Sequence, residues 1–64
     1  MERSKRDRIV HELGNHLGIV LGFTELVIDT MPEDDARRAD LEEVRGAAKK
    51  AVALLDDLSN TQGI

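Results

Sequence analysis

Sixty-four residues without a cysteine make at most one small domain and exclude a disulfide scaffold. Domains of this size rarely cover enough apolar surface by themselves, so the expected staple is a partner chain. A hydrophobic content of 41% is too high for a disordered tail, and a net charge of −4 argues against nucleic acid, whose phosphates call for clustered cations. The local basic run of Arg3, Lys5, Arg6 and Arg8 is broken by Asp7 and reads as a solvated helix face. Two histidines with no cysteine beside them do not suggest a structural zinc site. The start is charged and carries no secretory signal. The longest uncharged stretch, 13–24, is shorter than the roughly 20 apolar residues a bilayer crossing needs. A cytoplasmic segment with no membrane insertion is the expectation.

In chain order, the first expected element is a helix over about 4–30. At about 100° per residue, Ile9, Val10, Leu13, His16, Leu17, Val20, Leu21, Phe23, Thr24, Val27 and Ile28 gather into an arc about 160° wide. Within it, Val10, Leu13, Leu17, Val20, Thr24 and Val27 keep the alternating three-and-four spacing of a coiled-coil seam. Lys5, Arg6 and Arg8 put positive charge at the wrong end of the helix dipole. Either Ser4 and Asp7 form a capping box there, or the helix continues upstream in a longer protein, the reading favoured here.

Pro32 disfavours helical geometry in the residue before it and marks a turn over about 31–34. Glu33, Asp34 and Asp35 suit a helix N-terminus, where carboxylates meet free N–H groups. The second helix is therefore expected over about 35–60, with Leu41, Val44, Ala48, Ala51, Leu55 and Leu58 as its seam and Ala47, Val52 and Leu54 beside it. A short connection makes the two helices antiparallel neighbours, each about 40 Å long. The arc on helix 1 is wider than one neighbour covers. Two hairpins facing each other would cover it. The expected fold is all-α, an antiparallel two-helix hairpin forming a homodimeric four-helix bundle.

On the face away from that arc lies His11, about 160° from the arc's centre. Asp7, Gly14, Asn15, Gly18, Gly22 and Glu25 share the face. Glycines inside a helix cost roughly 1 kcal/mol each relative to alanine, and these three strip side chains from the surface beside the imidazole. A bare strip would admit a protein or a nucleotide; the plain alternative is relaxed helix packing. A neutral imidazole offers one nitrogen lone pair for attack while its other nitrogen holds the proton. A carboxylate such as Glu12 can fix that tautomer, and Asn15, at i+4, shares the helix side of His11. His16 falls at the edge of the apolar arc and reads as an interface histidine, because a phosphoryl dianion there would be desolvated.

The run from His11 through Glu12, Asn15 and the apolar stretch to Gly22-Phe23-Thr24-Glu25-Leu26 resembles the H-box of sensor histidine kinases. The acidic turn and the Ala- and Leu-rich second helix resemble the same family's dimerisation and histidine phosphotransfer domain, so the likeness covers about residues 5–60. The resemblance implies that His11 accepts the phosphoryl group. It implies that Glu12 is the acidic residue assisting kinase chemistry and Asn15 the polar residue tied to phosphatase activity. It also implies a homodimer that works with a separate ATP-binding catalytic domain and a response-regulator receiver. Gly14, Gly18 and Gly22 are the candidate partner-binding surface. Three positions depart from the pattern: His16 stands where Pro or Leu is common, Gly14 where a basic or polar residue is frequent, and Gly18 where Thr is frequent.

Nothing in the chain resembles the nucleotide-binding domain. There is no glycine-rich phosphate loop between a strand and a helix, and no carboxylate cluster that suggests a magnesium site. No cofactor or metal is expected in this segment; ATP and magnesium enter through the catalytic domain alone. Two alternatives stand beside this reading: a structural dimerisation hairpin or pseudokinase segment without phosphotransfer, and a stand-alone phosphotransfer protein.

Overall fold

A computed structural model of the chain describes residues 3–62. Helix α1 runs Arg3–Thr30 and helix α2 runs Arg38–Gln62. They fold back on one another as an antiparallel hairpin, 47 Å long and 16 × 15 Å across. Among the described residues, no helix is long and apolar enough to cross a membrane.

The connection differs from the sequence expectation. Helix α2 opens at Arg38, not near residue 35, because the acidic segment is used up in turns. The Asp35 amide donates to the Pro32 carbonyl at 3.1 Å and the Arg38 amide to the Asp35 carbonyl at 3.0 Å, giving two successive turns. The Asp35 carboxylate accepts from the Arg37 amide at 2.9 Å and from the Arg37 guanidinium at 3.1 and 2.8 Å. Asp side chains favour such local bonds over helix continuation. Only Asp40 supplies negative charge to the first turn of α2. Ser4 lies inside α1, so the Ser4–Asp7 box is not what starts that helix.

No described residue adopts the left-handed backbone region, so α1 ends without a glycine-type cap. Arg38 takes that role from the next helix. Its guanidinium donates to the carbonyls of Ile28 at 3.2 Å and Met31 at 3.3 Å, placing a cation against the negative end of the α1 dipole. The Met31 amide also returns to Ile28, at 3.2 Å. This one side chain ties the two helices together at the closed end.

Packing resolves the wide apolar arc into two faces. Thr24, Ile28 and Ala48 are buried, and Val10, Leu17, Leu21, Leu41, Val52 and Leu55 are half-buried along the line between the helices. Thr24 satisfies its hydroxyl by donating to the Val20 carbonyl at 2.6 Å. The rest of the arc is uncovered: Leu13, Val20, Phe23 and Val27 are 43–64% exposed on α1, and Val44, Leu54 and Leu58 are 38–69% exposed on α2. Each set sits about a quarter turn from its own helix's inward line, rotated in the same sense. Because the helices are antiparallel, equal rotations bring both sets to the same side of the hairpin. One side of the hairpin is therefore an apolar face.

Candidate functional site

Toward the open end of the hairpin, a cleft of about 220 Å³ lies between α1 and α2. Val10, Val52 and Leu55 give it an apolar floor, and His11, Gly14, Asn15, Asp56 and Ser59 complete the lining. His11 and Asn15 stand one helical turn apart on α1, both exposed. Asp56 and Ser59 sit on α2, also exposed. Residues carrying an imidazole, an amide, a carboxylate and a hydroxyl thus line one opening, and that opening lies on the opposite side of the hairpin from the apolar face.

This geometry revises the sequence picture in two respects. His11 does not stand on the far back of α1, remote from the second helix; it flanks the groove between the helices while staying open to water. Gly14 is half-buried and lines the cleft, whereas Gly18 and Gly22 continue along the same flank and are exposed. A Cβ on any of the three would meet nothing within 4 Å, so close helix packing is not what requires glycine there.

Glu12 is exposed and does not line the cleft. It lies about 100° around the helix from His11, and successive helix residues do not face each other. The carboxylate that does share the opening with His11 is Asp56, which the sequence reading did not single out. Its signal was available in the spacing: Asp56 is one turn beyond Val52, and Val52 belongs to the inward line of α2. Against known protein families, curated proteins and solved structures, this chain finds no match.

Among the described residues, no group of three or more His, Cys, Asp or Glu side chains could hold a metal ion. Among the described residues, the strongest electrostatic perturbation is at the other end of the rod. There the Arg37 guanidinium, with help from the Arg37 amide, holds the Asp35 carboxyl down from its ordinary 3.8 to about 2. That pair shapes the turn and takes no part in the cleft. What the cleft offers chemically is a reachable imidazole nitrogen beside an apolar floor, flanked by an amide able to donate to an anionic oxygen.

Proposed function

We propose that this chain is the dimerisation and phospho-acceptor hairpin of a two-component sensor histidine kinase, with His11 as the acceptor. The observation that carries the proposal is the opposition of the two faces. Pairing two copies through the Leu13, Val20, Phe23 and Leu54 side would leave both imidazoles and both clefts open to incoming domains. The resemblance of the segment from His11 to Leu26 to the H-box supports the same assignment.

The surface area supports pairing. The hairpin exposes 5033 Å², whereas a self-sufficient folded chain of 7.1 kDa is expected to expose about 4,100 Å². The surplus of roughly 900 Å² matches the area of about 800 Å² that one partner contributes to a standard interface. A second copy on the apolar face gives the four-helix bundle and the homodimer.

In this reading a neutral His11 attacks the γ-phosphorus of ATP held by a separate catalytic domain, which also carries the magnesium. A nitrogen–phosphorus bond forms, the bond to the ADP oxygen breaks, and the proton on the other ring nitrogen is released to a base. Glu12 is assigned that assisting role by resemblance, and Asn15 is assigned to orient a phosphoryl oxygen or a water. The other ring nitrogen then takes a proton back, a receiver aspartate attacks the same phosphorus, and the nitrogen–phosphorus bond breaks with the ring leaving in its neutral form. Gly18 and Gly22 would let the receiver lie close to the groove. Such a segment belongs in the cytoplasm, on its own or as part of a membrane-bound sensor.

The test supplies a sensor-kinase catalytic domain in trans with labelled ATP and magnesium. Acid-labile label is expected on the wild type and none on His11→Gln, with helicity and solution mass unchanged. Equal labelling of both proteins refutes the assignment. A purely structural hairpin would draw on the same apolar face and take no label at any position.

A further inference from the structure

The exposed apolar face contains one ionisable side chain at its centre. His16 is exposed in the hairpin and lies between Phe23 and Val27 on the wheel, one turn after Leu13, one turn before Val20 and two turns before Phe23. Leu13, Val20 and Phe23 are 46%, 44% and 64% exposed, so the imidazole is the polar member of an uncovered, otherwise apolar strip. We infer that His16 makes the pairing of two copies of this chain sensitive to pH, with the dimer favoured near neutrality and weakened in mild acid. The inference rests on the proposed pairing through this face.

The physical argument compares the two states of the ring. An imidazole changes charge between about pH 5 and 8. A neutral ring can be covered by a partner's leucines at modest cost, but an imidazolium covered the same way loses its hydration without compensation. Protons therefore bind the separated hairpins in preference to the pair. By linkage, acidification pulls the equilibrium toward separation, and each dimer carries two copies of the group.

The charges around His16 oppose the effect and so sharpen the test. On α1, Glu12 stands one turn before it and favours the imidazolium. On the same side of α2, Ala47, Ala51 and Leu54 carry no charge, and Lys50 lies at the outer margin. The chain as a whole has a net charge of −4, so protonation lowers the repulsion between two copies. General electrostatics thus predicts tighter pairing in acid. Only a desolvated imidazole predicts looser pairing. Carboxylates titrate near pH 4 and change little between pH 7.5 and 5.5.

The experiment is sedimentation equilibrium of the full chain at pH 7.5 and 5.5, with His16→Gln and His16→Leu beside the wild type and helicity followed by circular dichroism. A dimer at pH 7.5 whose dissociation constant rises tenfold or more at pH 5.5 is expected, with a ceiling of about a hundredfold for two fully excluded charges. Both variants should pair at least as tightly at pH 5.5 as at pH 7.5. A wild-type dimer indifferent to pH, or variants that weaken as much as the wild type, overturns the switch and leaves the pairing standing. A monomer at both pH values and at high concentration overturns the pairing and the switch with it.

Discussion

Leu54→Lys probes the apolar face most directly. Leu54 is 69% exposed in the hairpin, the largest exposure of any bulky apolar residue described, so the change costs the hairpin's own packing little. Full burial of a leucine is worth about 1.5–3 kcal/mol, and about two-thirds of that remains to be gained when a partner covers this residue. The loss is about 1–2 kcal/mol per copy and about 2–4 kcal/mol per dimer. At about 1.4 kcal/mol per decade, the dissociation constant should rise roughly 30- to 700-fold. Sedimentation equilibrium measures it, with Ala53→Lys as control, since Ala53 is exposed on the cleft side of α2. The reasoning fails if Leu54→Lys pairs within a factor of three of the wild type, or if Ala53→Lys weakens pairing equally.

Three further outcomes follow from the hairpin itself. Arg38→Ala removes two charge-assisted bonds from the closed end; because the Ile28 carbonyl keeps its bond from Met31, the cost should be about 1–2 kcal/mol, read as a lower urea midpoint at fixed protein concentration. Asp35 titrates at about 2 in the folded chain and at 3.8 ordinarily, so its contribution is complete above about pH 4 and is lost as pH falls toward 2. The gap in melting temperature between wild type and Asp35→Asn should accordingly close across that window, and a constant gap would show that the carboxylate's charge is not what shapes the turn. Gly22→Ala should raise stability by about 0.5–1 kcal/mol, since the new Cβ meets nothing within 4 Å; a lower melting temperature would mean that the flank is covered in the folded state.

The helices and their antiparallel arrangement were legible because periodicity and a single proline carry that information locally. The division of the apolar arc was not. Val10 and Leu13 look equivalent as seam positions, and so do Leu17 and Val20, until a partner helix selects one flank of the arc. The neighbour takes Val10, Leu17, Thr24 and Ile28 and leaves Leu13, Val20 and Val27 bare. The late start of α2 was hidden for a different reason. Asp34 and Asp35 satisfy every compositional rule for a helix N-terminus, yet Asp35 finds a better partner in the Arg37 backbone and guanidinium than in the helix dipole.

The same distinction governs the site. A wheel drawn for one helix says that His11 is away from the leucines, and it is; the wheel is silent on what stands across from it. That requires the register of two helices, which brings residues 10–15 of α1 opposite residues 52–59 of α2. Once the register is fixed, the acidic neighbour adjacent in sequence and the acidic neighbour in the cleft become different residues. Glu12 is bonded into the next peptide but rotated off the opening, while Asp56, more than forty positions away, lines it with the imidazole. Under the proposed phosphotransfer reading, a carboxylate lining the same opening would repel a phosphoryl group on His11, which would favour handing the group on over keeping it. A phospho-acceptor that must pass its cargo to a receiver gains from such a neighbour, and a histidine meant to stay modified would not.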